Sequence, residues 1–535
     1  MAVKPNKITQ GNMKKVLMIV ALSLAIMPVA AQDTYENATM ATQDLNGTAR
    51  YVGMGGAMEA LGADISTMGT NPAGIGLFRH SMVSASVGMI SQQGAKSFDI
   101  ADKTKVSFDQ MGFVYARQTG ENSFLNVGFN YHKSRNYSMI LSAADRLSGA
   151  SSGKLSYLKG DLGVFDVRRS NNKWVGGSNA FNQIDFLNYN TLMYDEKEDA
   201  IYFNEASDYT FNSGAKGHVN EFDFNVSGNI GNQVFLGLTV GVKDLDYKRY
   251  SEYSESLLSQ AGEPIGNAII QDSRTIDGSG FDIKAGVTFR PIEESPFRFG
   301  LYVHTPTWYD IKSSNYTTLK NNTTVGIYNY GSSEERYDFK LYTPWKFGAS
   351  VGHTFGNMLA IGATYEFADY GHLDSRVNTG ESYDWYYDTY MESSEHDYAM
   401  NNHTKSILKG VHTVKVGAEL KADERFAVRL GYNFISPMYS KDAYKDGTIN
   451  SPGTFYSSSN DFTNWKATNR ITAGVGYNLG NLSLDLAYQY TTQSGDFWPF
   501  MNFWDTKDRS MDNVCKSVKV DNNRHQLLFT LGYHF

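Results

Sequence analysis

The sequence predicts an all-β protein: a transmembrane antiparallel β-barrel of about fourteen strands, with an N-terminal segment folded into its lumen as a plug. Three observations predict this class. Aromatic residues make up 14% of the chain, with 35 Tyr and 31 Phe, and Gly is abundant at 50 residues while Pro is scarce at 11. Many segments alternate apolar and polar residues with a period of two, and short connections alternate with long ones. This composition favours strands joined by tight turns.

The first residues have the pattern of an export signal. Lys14 and Lys15 precede an apolar run over residues 16–27, and small residues follow at 29–31, with Met13 as an alternative start. The apolar run is shorter than the ~20 residues that a spanning helix needs. The expected organisation is a cleaved signal peptide over residues 1–31, a plug or hatch over 32–78 and a barrel over 79–535.

Period-two alternation is clearest in the second half of the chain. One face of each segment is apolar and the other is small or polar, as in strands that border a polar lumen or water on one side. The apolar faces of three such segments are Leu482, Leu484, Leu486, Tyr488 and Tyr490; Leu527, Phe529, Leu531, Tyr533 and Phe535; and Val234, Leu236, Leu238, Val240 and Val242.

The connections between these segments are of two kinds. Short turns over residues 119–122, 229–233, 293–296, 421–424 and 479–481 alternate with long polar loops. A secreted β-sandwich, the alternative fold, has no reason to place its tight turns at one end, whereas an outer-membrane barrel does. The fourteen strands are expected to begin near His80, Lys105, Ser123, Gly217, Gln233, Gly278, Phe297, Arg336, Asn357, Gly410, Arg425, Trp465, Asn481 and Asp521.

The last strand closes on the aromatic residue Phe535. This ending is similar to the signal by which outer-membrane proteins are recognised for assembly. The expected partners are therefore the barrel-assembly machinery and outer-membrane lipid, and the expected state is a monomer in the outer membrane of a Gram-negative cell. Tyrosines near strand ends fit the aromatic girdles of such barrels.

Several other classes are disfavoured. A formal net charge of −8 gives no basic face for nucleic acid. The glycines at 53, 55 and 56 do not follow a strand, so they do not predict a dinucleotide loop. The eleven histidines show no metal-ligand spacing, and no serine, histidine and acid stand out as a triad. We therefore expect no enzyme activity, no cofactor and no metal. The single cysteine, Cys515, excludes an internal disulfide.

Two predicted loops at the long-loop end are rich in aromatic residues. Exposed aromatic surface of this size is unfavourable unless it packs on a neighbouring loop or meets a ligand. The loops could pack together as a cap, form a groove that captures apolar molecules, or stack on glycans. The candidate capture residues are Trp385, Tyr386, Phe497, Trp498, Phe500, Phe503 and Trp504.

The longest predicted loop, residues 137–216, contains the segment MILSAADRLSG. Its apolar residues Ile140, Leu141, Ala144 and Leu147 have helical spacing. The spacing predicts a short amphipathic helix that packs on the rim of the barrel.

The segment before the first strand reads GGAMEALGADISTMGTNPAGIG. Ala57 to Leu61 is expected to form helical turns that end at Gly62. Asp64 and Asn71 are expected to cap the next two turns. Such a segment is compact, small-sided and nearly uncharged. It resembles the N-terminal motif of the FadL/TodX family of outer-membrane transporters, most closely in its Bacteroidetes type, through the following positions: Gly55, Gly56, Ala57, Gly62, Asp64, Asn71, Pro72, Ala73 and Gly74.

The resemblance implies a barrel whose lumenal plug acts as a gate, with Gly55, Gly56 and Asn71-Pro72-Ala73-Gly74 as gate residues. It implies that outer loops capture long-chain fatty acids or aromatic hydrocarbons for passive uptake. The ligand would leave sideways through a kink in the third strand, residues 123–136, where Gly128 is the candidate weak point. Some barrels of this family assist secretion or surface assembly, so an interaction protein without transport is the alternative.

Overall fold

The computed structural model describes residues 33–195, 198–324, 330–331, 335–386 and 388–535. The signal peptide predicted over residues 1–31 lies outside the described residues and stays a prediction. In the part of the chain that is described, no helix is both long enough and apolar enough to cross a membrane.

The N-terminal segment consists of short capped turns. Asp64 accepts a hydrogen bond from the Ser66 amide and begins a 3₁₀ turn at Ile65–Gly69, and Asn71 caps a second turn at Pro72–Leu77. Both predicted caps are confirmed. The predicted helix over residues 57–61 is wrong, because these residues form irregular turns. The α-helices of the chain are α1 (Thr34–Ala41), α2 (Ala49–Gly53), α3 (Ser152–Asp161), α4 (Gln183–Thr191), α5 (Tyr398–Ile407) and α6 (Pro452–Phe455).

The rest of the chain is mainly strand. The strands in order are β1 (Met82–Gln92), β2 (Thr104–Gly120), β3 (Ser123–Asn136), β4 (Met139–Arg146), β5 (Val167–Ser170), β6 (Lys173–Gly176), β7 (Tyr194–Asp195), β8 (Ala200–Ile201), β9 (Glu205–Ile230), β10 (Val234–Leu258), β11 (Pro264–Phe289), β12 (Arg298–His304), β13 (Trp308–Thr323), β14 (Tyr330–Gly331), β15 (Glu335–Tyr342), β16 (Lys346–Phe355), β17 (Leu359–Asp369), β18 (Asp374–Asp384), β19 (Thr389–His396), β20 (Gly410–Lys421), β21 (Phe426–Ile435), β22 (Phe462–Leu479), β23 (Leu482–Trp498), β24 (Val518–Asp521) and β25 (Arg524–His534).

Fourteen of these strands close a barrel, as predicted. The wall follows the order β1, β2, β3, β9, β10, β11, β12, β16, β17, β20, β21, β22, β23 and β25, and every neighbouring pair is antiparallel. The first and last strands pair from Met82 opposite His534 to Gln92 opposite Arg524, which closes the sheet. A closed sheet leaves no unpaired edge in its wall.

The outward side of the wall is apolar and the inward side is polar. On β10, Leu236, Leu238 and Val240 are exposed, whereas Thr239 and Lys243 between and beyond them are buried in the lumen. The same division recurs on the other wall strands. This arrangement places the apolar faces predicted from the sequence against lipid.

Several wall strands are longer than a membrane requires. A tilted strand crosses with about 9–11 residues, whereas β9 and β11 each have 26. The excess projects from the long-loop end. There it supports a cap, the apolar cluster built from the strand extensions, the loop insertions and helix α1, with Phe211, Tyr253, Ile184 and Phe500 in its core.

The predicted helix over residues 139–147 is wrong, because most of this segment is strand β4. It pairs with the extension of β9, from Met139 opposite Ala215 to Arg146 opposite Asp208. The pairing of β3 with β9 ends at His218, next to the segment of β9 that pairs with β4. The freed backbone of β9 therefore offers hydrogen bonds that an isolated amphipathic helix cannot match.

Candidate functional site

The plug fills the lumen and is bound to the wall by buried ion pairs. Arg50 donates to both carboxylate oxygens of Glu419, each at 2.9 Å. Glu59 is fully buried and accepts from Lys415 Nζ at 2.9 Å and from Thr364 Oγ1 at 2.6 Å. The few charges of the plug are therefore its anchors to the wall.

The predicted gate residues all lie at the contact between plug and wall or inside the plug. Asn71 Nδ2 donates to Thr288 Oγ1 on β11 at 3.2 Å, and the Pro72 carbonyl accepts from Ser227 Oγ on β9 at 2.8 Å. Ala73 is fully buried, and the carbonyl of Gly74 accepts from the Ala63 amide at 3.0 Å. These contacts position the second capped turn against β9, β10 and β11.

Close backbone contacts explain two glycine positions. Gly55 has a φ of +65° and lies against the backbone of β21, where an added Cβ would be 2.8 Å from the Tyr432 nitrogen. Gly56, with φ +78°, faces Leu45 and Tyr51 inside the plug. Both backbones need the left-handed conformation that glycine adopts readily.

A cavity of about 270 Å³ lies between plug and cap. Its lining is amphipathic. Polar and charged side chains come from the plug and the wall, and apolar side chains come mainly from the upper wall. Representative polar residues are Asp44, Asn46, Asp109, Lys133, Arg135, Arg470 and Arg524, and representative apolar residues are Met89, Ile435, Met438, Tyr439 and Trp465.

An ionic cluster lies beside the cavity, where the plug touches β9. Lys284 Nζ is 2.5 Å from Glu221 Oε1 and 2.7 Å from Asp223 Oδ1, and Lys243 Nζ is 2.8 Å from Asp282 Oδ2. Among the described residues, the ligand atoms of His132, Glu221 and Asp223 lie within 4.8 Å of one another. The lysines already supply the cationic partners of these carboxylates, so the cluster is explained as an ion network.

The aromatic residues of the last long loop form part of the cap. Phe497 and Phe500 have 0% exposure, and the Phe497 ring centroid lies 4.8 Å from that of Phe211. Trp498 stacks on Phe462 at 5.1 Å. Phe503 is partly buried against the same cluster, while Trp504 is half exposed. These positions agree with packing in a cap, rather than with a groove for apolar molecules or with stacking on glycans.

Trp385 and Tyr386 occupy a different place. They lie at the tip of the β18–β19 hairpin with exposures of 88% and 86%. Neither belongs to the core of the cap. The two aromatic segments therefore do not form one groove.

The wall is continuous at Gly128. This residue pairs with Val114 of β2 on one side and with Asn225 of β9 on the other. Its missing side chain makes room for the plug, since an added Cβ would lie 2.1 Å from Met68 Cε. Gly128 is thus a plug contact, and the kink assigned to it is not present there.

The irregularities of this part of the wall lie elsewhere. On the third strand itself, the β3–β9 pairing shifts between Lys133 and Arg135. The β1–β2 pairing shifts between Ser86 and Val87, which leaves Asp109 as the extra residue of a β-bulge. Asp109 lines the cavity and accepts from Asn46 of the plug at 3.1 Å. Met89 also lines the cavity, although it points outward and is 43% exposed. The bulge is therefore part of the cavity wall.

Sequence reasoning missed the Asp109 bulge, although the chain carries a signal for it. The outward residues of β2 are Val106 and Phe108, then Met111, Phe113 and Tyr115. The period of two slips by one residue between 108 and 111, as a bulge requires. The plug anchors and lumenal arginines were also missed, because their partners are distant in sequence.

Solved structures resemble this chain. They include the Ralstonia pickettii toluene transporter TbuX (14% identity, TM-score 0.47), a Pseudomonas aeruginosa FadL homologue (11%, 0.46) and the P. putida toluene transporter TodX (10%, 0.46). Each likeness covers 92% of this chain and 99% of the other. These neighbours are of the FadL/TodX type that the motif segment resembles. No protein-family model and no curated protein matches the chain. The Bacteroidetes type stays a prediction.

Proposed function

We propose that this protein is a channel in the outer membrane of a Gram-negative cell, for passive uptake of hydrophobic or amphiphilic small molecules. The observation that carries the proposal is the amphipathic cavity above the plug, whose wall includes the β-bulge at Asp109. A ligand would enter from the cap side, rest above the plug and leave sideways at the bulge. Long-chain fatty acids and aromatic hydrocarbons are the candidate ligands.

The route needs only that the cap opens locally. The wall at the bulge is thinned by Gly88, which faces the Asp109 carboxylate. Asn46 of the plug donates to the same carboxylate. A movement of this part of the plug would therefore open the proposed connection between cavity and lipid without breaking the barrel. No enzymatic step is part of this proposal.

Uptake by cells tests the proposal. A deletion strain should take up labelled long-chain fatty acid or labelled toluene more slowly than the parent, and the wild-type gene should restore the rate. Normal uptake of both ligands by the deletion strain would contradict the proposal. Surface display of the protein in both complemented and control strains is checked with an antibody.

A second candidate, an interaction or assembly protein, is favoured by one observation. Trp385 and Tyr386 are highly exposed at a hairpin tip, as in a recognition surface. Replacing both with Ser separates the candidates. A transporter keeps its uptake rate, whereas an interaction protein loses its partner in a cross-linking experiment on intact cells.

A further inference from the structure

Three arginines of the wall converge on one carboxylate of the plug. Asp44 Oδ1 accepts from Arg135 of β3 at 2.9 Å and from Arg470 of β22 at 3.2 Å. Arg524 of β25 is linked to Asp44 through Asn136, whose amide donates to Asp44 Oδ2 at 3.0 Å and whose carbonyl accepts from Arg524 at 3.5 Å. Asp44 and the three arginines line the cavity above the plug.

Among the described residues, the guanidinium groups have fewer hydrogen-bond acceptors than they have N–H donors. Arg524 donates to Asn522 Oδ1 at 2.8 Å and to the Asn136 carbonyl at 3.5 Å, so it has no hydrogen bond to a carboxylate. Arg135 has a buried Nε without a partner. Because each guanidinium has several N–H donors in a fixed fork, donors remain that face the cavity.

The other carboxylates at the cavity do not balance this surplus, since each has a cation of its own. Glu221 accepts from Lys284, Glu366 lies 3.2 Å from Lys415 Nζ, and the charged neighbour of Asp109 is Lys133. Three guanidinium groups with one carboxylate leave two positive charges in a largely buried place. Unpaired buried charge is costly, so this arrangement favours an anion.

We infer that this arginine cluster is a binding site for a doubly charged oxyanion, such as the phosphate of a phosphate monoester. A dianion matches the surplus charge, and a tetrahedral phosphate can accept bidentate hydrogen bonds from more than one guanidinium. Met438, Tyr439 and Trp465 line the same cavity and offer an apolar surface for a hydrocarbon tail. The inference rests on the proposed function in one respect, because it names the head group of an amphiphilic ligand.

Calorimetric titration of the full barrel in nanodiscs tests the inference without any transport step. The probes are hexyl phosphate, hexanoate, hexanol and inorganic phosphate. Hexyl phosphate should bind about tenfold more tightly than hexanoate, and hexanol should not bind. Tighter binding of hexyl phosphate than of inorganic phosphate assigns the site to an amphiphile, whereas equal binding assigns it to the free ion.

Two variants should change the affinity in opposite directions. Arg524→Gln should weaken hexyl phosphate binding about tenfold, and Asp44→Asn should strengthen it by removing the competing carboxylate. Arg425→Gln, in an exposed turn at the other end of the barrel, is the matched control. Heat-modified mobility on gels confirms that each barrel is folded.

Equal affinity for hexanoate and hexyl phosphate would overturn the inference, as would wild-type affinity in Arg524→Gln. Neither result would contradict the uptake proposal, because that proposal is tested by the deletion strain. Conversely, normal uptake by that strain leaves this binding experiment valid.

Discussion

The cap and the plug close the same barrel by different means. The cap is stabilised by apolar burial, with Phe497 and Phe500 in a continuous hydrophobic cluster. The plug also has small apolar clusters, and its helix α1 packs in the cap cluster. Unlike the cap, however, it is joined to the wall by buried ion pairs, such as Glu59 with Lys415, and by backbone contacts at glycines of the wall. Apolar packing is non-directional and tolerates small shifts, whereas charged pairs are directional and can be exchanged for a charged ligand. If the proposed uptake holds, we expect the charge of a ligand to act on the plug and its apolar part to act on the cap.

Removal of a core aromatic side chain should have the largest effect on stability. Phe500→Ala should destabilise the cap by about 3–5 kcal/mol, because it leaves a cavity in a fully buried cluster. Hydrogen exchange in α4 measures this loss. The comparison predicts unchanged exchange in α2 of the plug, which lies outside the cap cluster. Equal acceleration in α4 and α2 would show that cap and plug are one cooperative unit.

The cap should also respond to pH. Burial raises the pKa of Glu255, in the extension of β10, from 4.5 to about 7, although Ser152 N–H and Tyr253 O–H donate to it. A raised pKa means that the folded cap binds the proton more tightly than the unfolded chain does. The contribution of the protonated Glu255 carboxyl group to the stability of the cap is therefore fully present below pH 4.5. This contribution, up to about 3 kcal/mol in total, is lost as the pH rises through about 7.

Protection of α3 against hydrogen exchange, corrected for intrinsic rates, should accordingly be greater at pH 5 than at pH 8. Glu255→Gln should remove most of this difference, since glutamine does not titrate. Retention of the full difference in Glu255→Gln would contradict the assignment.

The plug should weaken when its central anchor is removed. Glu59→Ala leaves Lys415 buried with only Glu366 as a carboxylate partner, at 3.2 Å, which should cost about 2 kcal/mol. Single-channel conductance in a planar bilayer should rise as the plug loosens, while α4 in the cap keeps its exchange rate. Glu59→Gln, which keeps a hydrogen-bonding side chain of similar size, should have a smaller effect. Wild-type conductance in both variants would exclude this residue as an anchor.

The smallest effect is expected at the hairpin tip. Trp385→Ala should change the unfolding free energy by less than about 0.5 kcal/mol, because the side chain is almost fully exposed. Thermal unfolding followed by far-UV circular dichroism measures the change. A loss of more than 1 kcal/mol would show a packing role that its exposure does not reveal.

Local patterns in the sequence predicted the parts of the fold that depend on neighbouring residues. Alternation predicted the wall strands, and the residue types of Asp64 and Asn71 predicted the caps of the plug. Strand β4 was not predictable in this way, because its conformation depends on the edge of β9, which lies more than 60 residues further along the chain.

The site itself was mostly beyond sequence reasoning. Arg135, Arg470 and Arg524 meet Asp44 only because the barrel closes, and nothing in their local sequence marks them. Phe497 and Phe500 were selected from the sequence as candidate capture residues. The sequence could not decide between a buried cap and an exposed groove, because both are built from aromatic residues. The Asp109 bulge could have been predicted, because the alternation of apolar and polar residues in β2 shifts by one position there.

The most direct test of the uptake proposal is the rate of labelled fatty-acid uptake by cells that carry a deletion of Asp109. The deletion restores perfect alternation in β2 and should block the proposed lateral exit while the barrel still folds. Asp109→Ala keeps the bulge and is the matched control. We predict that the deletion abolishes the uptake that the wild-type gene restores and that Asp109→Ala retains it. Equal, wild-type uptake in both variants would contradict lateral exit at this bulge.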